Sequence, residues 1–100
     1  MRIAHAFLAV APDQREKALD VMTSQAAAVR QMHGCLAFVP FSDASDPGRL
    51  GVIHEWESGA DFDAYLASPA YATISAVVRP MMIGKPDGRR FDANLLQAVN

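Results

Sequence analysis

The stretch that decides the fold is LGVIHEWESGADFDAYLASPAY, residues 50–71, because it passes from a strand into two short helices. Side chains along a strand alternate between its two faces. Val52, His54 and Trp56 are therefore expected to share one face, and the residues between them to share the other. The strand has to end where the polar residues begin.

Two serines in this stretch predict helix starts. Ser58 can accept a hydrogen bond from the first turn of a helix, and Asp61 stands three residues later, as in a capping box. Ser68 precedes Pro69, which suits an N-cap followed by the first helical position. The chain should thus fold back as two consecutive short helices after the strand.

These residues also resemble a motif of the antibiotic biosynthesis monooxygenase (ABM) family. The match consists of Glu55-Trp56-Glu57-Ser58, then Phe62, then Leu66-Ala67-Ser68-Pro69, against the family pattern E-x-W-x-S followed by H-L-x-S-P-H. The two histidines of that pattern are replaced here by Tyr65 and Ala70. The resemblance implies a dimeric α/β barrel.

The remaining segments complete an α+β order, β-α-β-β-α-β, with an antiparallel sheet. The first predicted elements are a strand at Arg2–Val10 and a long helix, which Pro12-Asp13 opens with Glu16 in the capping-box position and Gly34 closes. Strands at Cys35–Phe41 and Leu50–Trp56 then form a hairpin. The helices of residues 58–78 and a last strand at Arg90–Val99 follow. This is the ferredoxin-like split βαβ arrangement, and we expect one domain over residues 1–100.

The first strand predicts a partner for the sheet. Ile3, His5 and Phe7 alternate with apolar residues, so both faces of the strand carry side chains that favour burial. Helices cover only one face of this fold, and each buried aliphatic or aromatic side chain contributes about 1.5–3 kcal/mol. We therefore expect a homodimer in which two sheets pack face to face and exchange their C-terminal strands, forming the dimeric α/β barrel.

Composition excludes several classes of function. A net charge of −2 without a Lys/Arg run gives no electrostatic footprint for nucleic acid. The apolar stretch near the N-terminus is too short to span a membrane, so we expect no membrane association and a cytoplasmic location. Cys35, the single cysteine, has no partner for an internal disulfide and is expected to be a small buried hydrophobe.

Metal and cofactor sites are not expected. His54 and Glu55 are adjacent on a strand and point to opposite faces, so they cannot bind the same metal ion. The sequence also has no Gly-rich phosphate loop, no dinucleotide fingerprint and no G-x-S-x-G. Haem-binding relatives of the ABM family use a helix histidine, and the segment after Trp56 offers only tyrosines in that position.

A polar and aromatic set could instead line one pocket between the sheet and the helices: His5, His54, Trp56, Phe62, Tyr65, Tyr71, Arg79 and Asn94. His54 is the candidate catalytic base, because an unperturbed histidine with a pKa of about 6.5 can take a phenolic proton at neutral pH. Tyr65 is the candidate hydroxyl donor. His5, Trp56, Phe62, Tyr71 and, at the pocket mouth, Met82 are candidate substrate contacts, although His5, His54 and Trp56 also suit purely structural positions.

The resemblance implies a monooxygenase that needs neither metal nor flavin and acts on a quinol-like or polycyclic aromatic substrate with dioxygen. The substrate itself would supply the electrons after losing a phenolic proton. Two alternatives stay open on the same fold. One is a non-catalytic small-molecule-binding dimer, which the missing family histidines favour, and the other is an isomerase or decyclising enzyme that needs no oxygen.

Overall fold

A computed structural model describes residues 1–99 of the chain as one four-stranded antiparallel sheet with three α-helices. The elements are β1 (Arg2–Ala9), α1 (Arg15–Arg30), β2 (Cys35–Ser42), β3 (Arg49–Trp56), α2 (Gly59–Leu66), α3 (Pro69–Val78) and β4 (Asp87–Asp92). The strand order is β2-β3-β1-β4, so that β3 separates β1 from β2. This confirms the α+β, ferredoxin-like split βαβ fold.

Both predicted helix starts after β3 are confirmed by their caps. The Ser58 hydroxyl accepts a hydrogen bond from the Asp61 main-chain N–H at 3.1 Å, and it also donates to the Asp61 carboxylate at 2.9 Å. The Ser68 hydroxyl accepts from the Tyr71 N–H at 3.2 Å, with Pro69 at the first helical position. These caps fix where α2 and α3 begin, and so fix which of their side chains face β3.

The start of α1 differs from the prediction. The chain turns at Pro12, as expected, but Pro12–Gln14 forms a 3₁₀ turn, and α1 proper begins at Arg15. Among the described residues no side chain caps α1, so the predicted capping box with Glu16 is not formed. The 3₁₀ turn begins the helical segment instead, with a hydrogen bond from the Gln14 N–H to the Ala11 carbonyl.

The last strand was predicted wrongly at Arg90–Val99. Its observed bounds are Asp87–Asp92, because β4 pairs only with β1 and Asp92 lies opposite Arg2, the first residue of β1. Met1 also exchanges hydrogen bonds with Ala93, and the chain leaves the sheet after that pair. The alternating apolar residues that suggested a longer strand, Leu95 and Val99 among them, are left exposed with Leu96.

The two faces of the sheet have different neighbours. The helices cover the face that carries Ala4, Leu8, Phe38, Leu50, Val52, His54 and Trp56, all of them buried. The other face, which we call the open face, carries aromatic rings in edge contact. The centroid of the His5 ring lies 5.6 Å from that of Phe91 and 6.0 Å from that of Phe7, and the centroids of Phe7 and Phe41 are 5.5 Å apart. The predicted assignment of alternate residues of β1 and β3 to opposite faces is confirmed.

Candidate functional site

His54 lies at the centre of an aromatic cluster between β3 and the helices. Its side chain is 4% exposed, and its ring centroid lies 5.2–5.7 Å from those of Tyr65, Phe62 and Phe38. The Trp56 indole N–H donates to His54 Nδ1 at 2.8 Å, within the buried cluster. Residues 54 and 56 share a face because they are two apart on one strand, so the sequence itself brings this pair together.

This hydrogen bond fixes the tautomer of His54. A neutral imidazole has one nitrogen that donates and one that accepts, so an accepting Nδ1 places the proton on Nε2. The pKa of His54 is lowered to about 4, mainly by burial, and the positive charge of Arg90 and the proximity of His5 contribute to this shift in the same direction. At neutral pH the ring is therefore uncharged, and Nε2 carries a hydrogen to donate.

Tyr65 provides a second donor beside His54. Its ring stacks on Trp56 with the centroids 5.5 Å apart, and burial raises the pKa of its phenol above the ordinary value, with Tyr71 adding to the effect. The hydroxyl thus stays protonated at neutral pH. Because the phenol is held by ring packing on both sides, its position is set by α2 and β3 rather than by its own hydrogen bonds.

Both donor atoms are accessible to a ligand. Within the part of the chain that the structure describes, neither His54 Nε2 nor the Tyr65 hydroxyl has a hydrogen-bond partner, yet no fully buried side-chain nitrogen or oxygen is left without one. The two atoms must therefore open onto space. That space is a cavity of about 260 Å³ between the helix-covered face of the sheet and helices α2 and α3.

The cavity is mostly apolar and has a charged rim. Its lining includes Ala4, Leu8, Met22, Val52, His54, Phe62, Tyr65, Leu66, Tyr71, Ile74, Val78, Arg79, Met82 and Arg90. A cavity of about 150 Å³ is enough to hold benzene. The space beside His54 therefore suits a substituted single ring or two fused rings, and Arg79 and Arg90, which are exposed, mark where it opens to solvent.

The structure brings most of the predicted site residues together. His54, Phe62, Tyr65, Tyr71, Arg79 and Met82 all line the cavity. His5 borders it, but its ring packs against Phe7 and Phe91 on the open face, because Ala4 and Ala6 occupy the inward positions of β1. Two residues of the predicted set, Trp56 and Asn94, are not among the described residues that line the cavity. Trp56 lies behind His54 with no exposed surface, and Asn94 follows β4 and is exposed to solvent.

A family model of antibiotic biosynthesis monooxygenases matches residues 1–77, which include β1 to α3 and most of the cavity lining. The chain belongs to this family. No curated protein matches this ABM chain in sequence. The familial match covers His54 and Tyr65 but ends before Arg79 and Arg90, so the rim of the cavity lies outside it.

Solved structures named for the family share the fold of this ABM chain. One from Nitrosomonas europaea is 18% identical, with a TM-score of 0.87 over 93% of this chain and 98% of the other. One from Caulobacter crescentus is 22% identical, with a TM-score of 0.86 over 94% of this chain and 90% of the other. One from Deinococcus radiodurans is 24% identical, with a TM-score of 0.82 over 100% and 97%. At these identities the likeness concerns the fold alone.

Arg90 is the site residue that sequence reasoning missed. It lies opposite Ala4 in the β1–β4 pairing, on the helix-covered face, and its guanidinium lies 4.9 Å from the centre of the Phe62 ring. The sequence signal for this strand is weak, because Phe91 is the one large apolar residue among residues 87–92. The prediction placed the start of the last strand three residues too late, at Arg90, and did not include Arg90 in the candidate set.

Two further observations, made on residues 1–99, concern metal binding and membrane spans. No three His, Cys, Asp or Glu side chains of that range lie close enough to hold a metal ion together. Within the same range, every helix is too short or too polar to cross a membrane. The cytoplasmic location stays a prediction.

Proposed function

We propose that this protein is a cofactor-independent monooxygenase that acts on an electron-rich dihydroxyaromatic molecule of one or two rings. The observation that carries the proposal is the pair of accessible donors, His54 Nε2–H and the Tyr65 hydroxyl, in an otherwise apolar cavity. Family membership supports an oxygenation reaction, and the cavity volume of about 260 Å³ favours small quinols over larger polycyclic substrates.

The donors would act on the oxygen of the substrate. A phenol that accepts hydrogen bonds from His54 Nε2–H and Tyr65 gives up its proton more easily to solvent water at the open rim of the cavity, because hydrogen bonds to the charged form lower a pKa. The resulting anion is electron-rich and can reduce dioxygen in a site that excludes water. For a quinol, one oxygen atom replaces a ring hydrogen and the other leaves as water, so that quinol and dioxygen give a hydroxyquinone and water.

This mechanism changes the role that the sequence suggested for His54. A general base needs a free lone pair towards the substrate, and in the resting tautomer the only lone pair of the His54 ring accepts from Trp56. Protonation is also disfavoured, because burial holds the pKa of His54 at about 4. We therefore propose that His54 stabilises the substrate anion as a donor rather than removing its proton.

The alternative with specific support is a non-catalytic binding dimer. Among the described residues that line the cavity there is no carboxylate, and its two buried polar groups both donate, so an isomerase that must move a proton between two positions has no acceptor there. A binding protein needs no acceptor. The distinguishing property is whether oxygen is consumed.

The test is oxygen uptake with 1,4-dihydroxynaphthalene at neutral pH, corrected for autoxidation with heat-denatured protein. We expect consumption above the control and one labelled oxygen atom in the product from ¹⁸O₂. His54→Leu should lose about a hundredfold in turnover, because removing one oxyanion donor typically costs that much. His54→Gln keeps an N–H donor without being a base, so it should retain much more activity than His54→Leu. Equal losses in the two variants favour the base role, and no uptake by wild-type protein favours the binding dimer.

We also propose that the protein is a homodimer in which the open faces of two copies pack together. The supporting observations are the aromatic rings on the open face, including Phe91 at 45% exposure, and the exposed apolar residues beyond β4, with Leu96 at 96%. Covering several such side chains would contribute about 1.5–3 kcal/mol each. Residues 94–99, which pair with no strand of the described part of their own chain, would lie on the partner.

Light scattering tests the dimer. Wild-type protein should have the mass of two chains at micromolar concentration, and Phe91→Glu should shift it towards one, because a charge would be buried in the interface. Ala27→Glu is the matched control, since it places the same charge on the exposed side of α1. A monomeric wild type, or equal effects of the two substitutions, contradicts this arrangement.

A further inference from the structure

The charged side chains that line the cavity are all of one sign. Among the described lining residues are Arg79, Arg89 and Arg90, and none is Asp or Glu. The whole chain has the opposite balance, with 11 acidic residues against nine basic ones. The positive charge at the cavity is therefore a local arrangement, and a cleft lined by one sign of charge concentrates ligands of the other.

Two of these arginines stand apart from the others in the described chain. The remaining arginines each have an acceptor: Arg2 with Asp92, Arg49 with Asp43, Arg89 with Asp87, Arg15 with the carbonyls of Asp43 and Asp46, and Arg30 with the carbonyl of Phe38. Within residues 1–99, Arg79 and Arg90 meet neither a carboxylate nor a main-chain carbonyl. Both line the cavity.

The contacts of Arg79 and Arg90 hold their guanidinium groups in place without neutralising them. Arg79 donates to the Tyr71 hydroxyl at 3.1 Å, and Arg90 lies over the Phe62 ring at 4.9 Å. Phe62 and Tyr71 are themselves part of the cavity wall. Each cation is thus attached to an aromatic side chain that a bound ring would touch, and each keeps free N–H groups for a ligand.

We propose that the ligand of this cavity is an aromatic anion, with a carboxylate or ionised phenol at the rim bound by Arg79 and Arg90 and its ring held between Phe62 and Tyr71. A planar guanidinium suits this ligand, because it can donate two parallel hydrogen bonds to one carboxylate. The proposal rests on the proposed function only in placing the ligand in the same cavity.

The position of Arg90 also connects the rim with the interior. Its charge acts together with burial to lower the pKa of His54, so its field reaches the atoms that face the ligand. The same field favours the ionised form of a phenol bound beside His54. Selection of an anion at the rim and stabilisation of an anion inside are therefore two effects of one charge.

Binding of a matched pair of naphthalenes tests the proposal. The probes are 1-hydroxy-2-naphthoate and 1-hydroxy-2-naphthamide, which have nearly the same shape and differ by one charge at neutral pH. In calorimetric titrations at low ionic strength, we expect the acid to bind about tenfold more tightly than the amide, about 1.4 kcal/mol. Added salt should weaken the binding of the acid and not that of the amide, because salt screens the interaction between the charged groups.

Three variants assign the effect to residues. Arg79→Gln and Arg90→Gln should each weaken the acid about tenfold and leave the affinity for the amide within about twofold. Lys17→Gln is the control, because it removes the same charge from an exposed position of α1 that does not line the cavity. Unchanged melting temperatures verify that the variants fold.

The outcomes separate this proposal from the proposed function. Equal binding of acid and amide, no binding of either, or an equal effect of Lys17→Gln overturns the anion site even if the protein consumes oxygen. Arginine-dependent binding of the acid by a protein that consumes no oxygen supports the anion site and contradicts the monooxygenase.

Discussion

The hydrogen bond between Trp56 and His54 can be tested by a double-mutant cycle. Trp56→Phe keeps an aromatic ring but removes the N–H that donates to His54 Nδ1, and His54→Leu removes the acceptor. Each single variant leaves one buried polar atom without a partner, since Trp56 has no exposed surface and His54 is 4% exposed. The double variant leaves neither atom, so its loss of stability should be smaller than the sum of the two single losses.

The size of this difference follows from the burial. An unsatisfied buried donor or acceptor costs about 1–3 kcal/mol, and residues in direct contact couple by about 0.5–3 kcal/mol. We expect a coupling free energy of about 1–3 kcal/mol from the pair. With a total stability of about 5–15 kcal/mol for a domain, each variant should still fold, so that all four corners of the cycle can be measured.

Urea denaturation of the four proteins gives the coupling free energy, and nitrogen NMR of the histidine rings gives the tautomer directly. In wild-type protein at neutral pH, the His54 signals should show hydrogen on Nε2 and none on Nδ1. A coupling below about 0.3 kcal/mol, which is typical of residues that do not touch, or a proton on Nδ1, would refute the donor role of His54 and return it to the candidate bases.

Three further predictions concern stability. The pKa of His54 is about 4 in the folded protein and 6.5 in the unfolded chain, so neutral His54 contributes fully to the free energy of unfolding above pH 6.5, and about 3 kcal/mol of this contribution is lost as the pH falls towards 4. Urea denaturation across this range should show the free energy of unfolding falling with pH, and His54→Leu should reduce that dependence. Ser58→Ala should cost about 1 kcal/mol in chemical denaturation by removing the cap of α2, and a change below about 0.2 kcal/mol would contradict the cap. Gly51→Ala should lower the melting temperature measurably, because a Cβ there would collide with the Ala6 carbonyl oxygen between β1 and β3, and an unchanged melting temperature would show that the strands can separate freely.

Local patterns predicted the parts of the fold that depend on neighbours in sequence. The caps at Ser58 and Ser68 are contacts over three residues, and the shared face of His54 and Trp56 follows from alternation along one strand. The end of β4 could not be predicted in this way. Its apolar residues continue past Asp92, but the pairing with β1 ends opposite Arg2, with one further pair of hydrogen bonds between Met1 and Ala93, and this limit is visible in the pairing of the two strands rather than in the sequence.

The sequence grouped most of the residues that the structure brings together around the cavity, but it could not predict the protonation of His54, for a related reason. Face sharing and helix spacing were enough to group His54 with Phe62 and Tyr65, but the proton on the ring depends on what Nδ1 binds and on how deeply the ring is buried. A histidine with an ordinary pKa suggested a base. Enclosed by aromatic rings and next to Arg90, the same residue is neutral and carries its hydrogen on Nε2, and in the mechanism that we propose this N–H favours the ionisation of the ligand rather than of the protein.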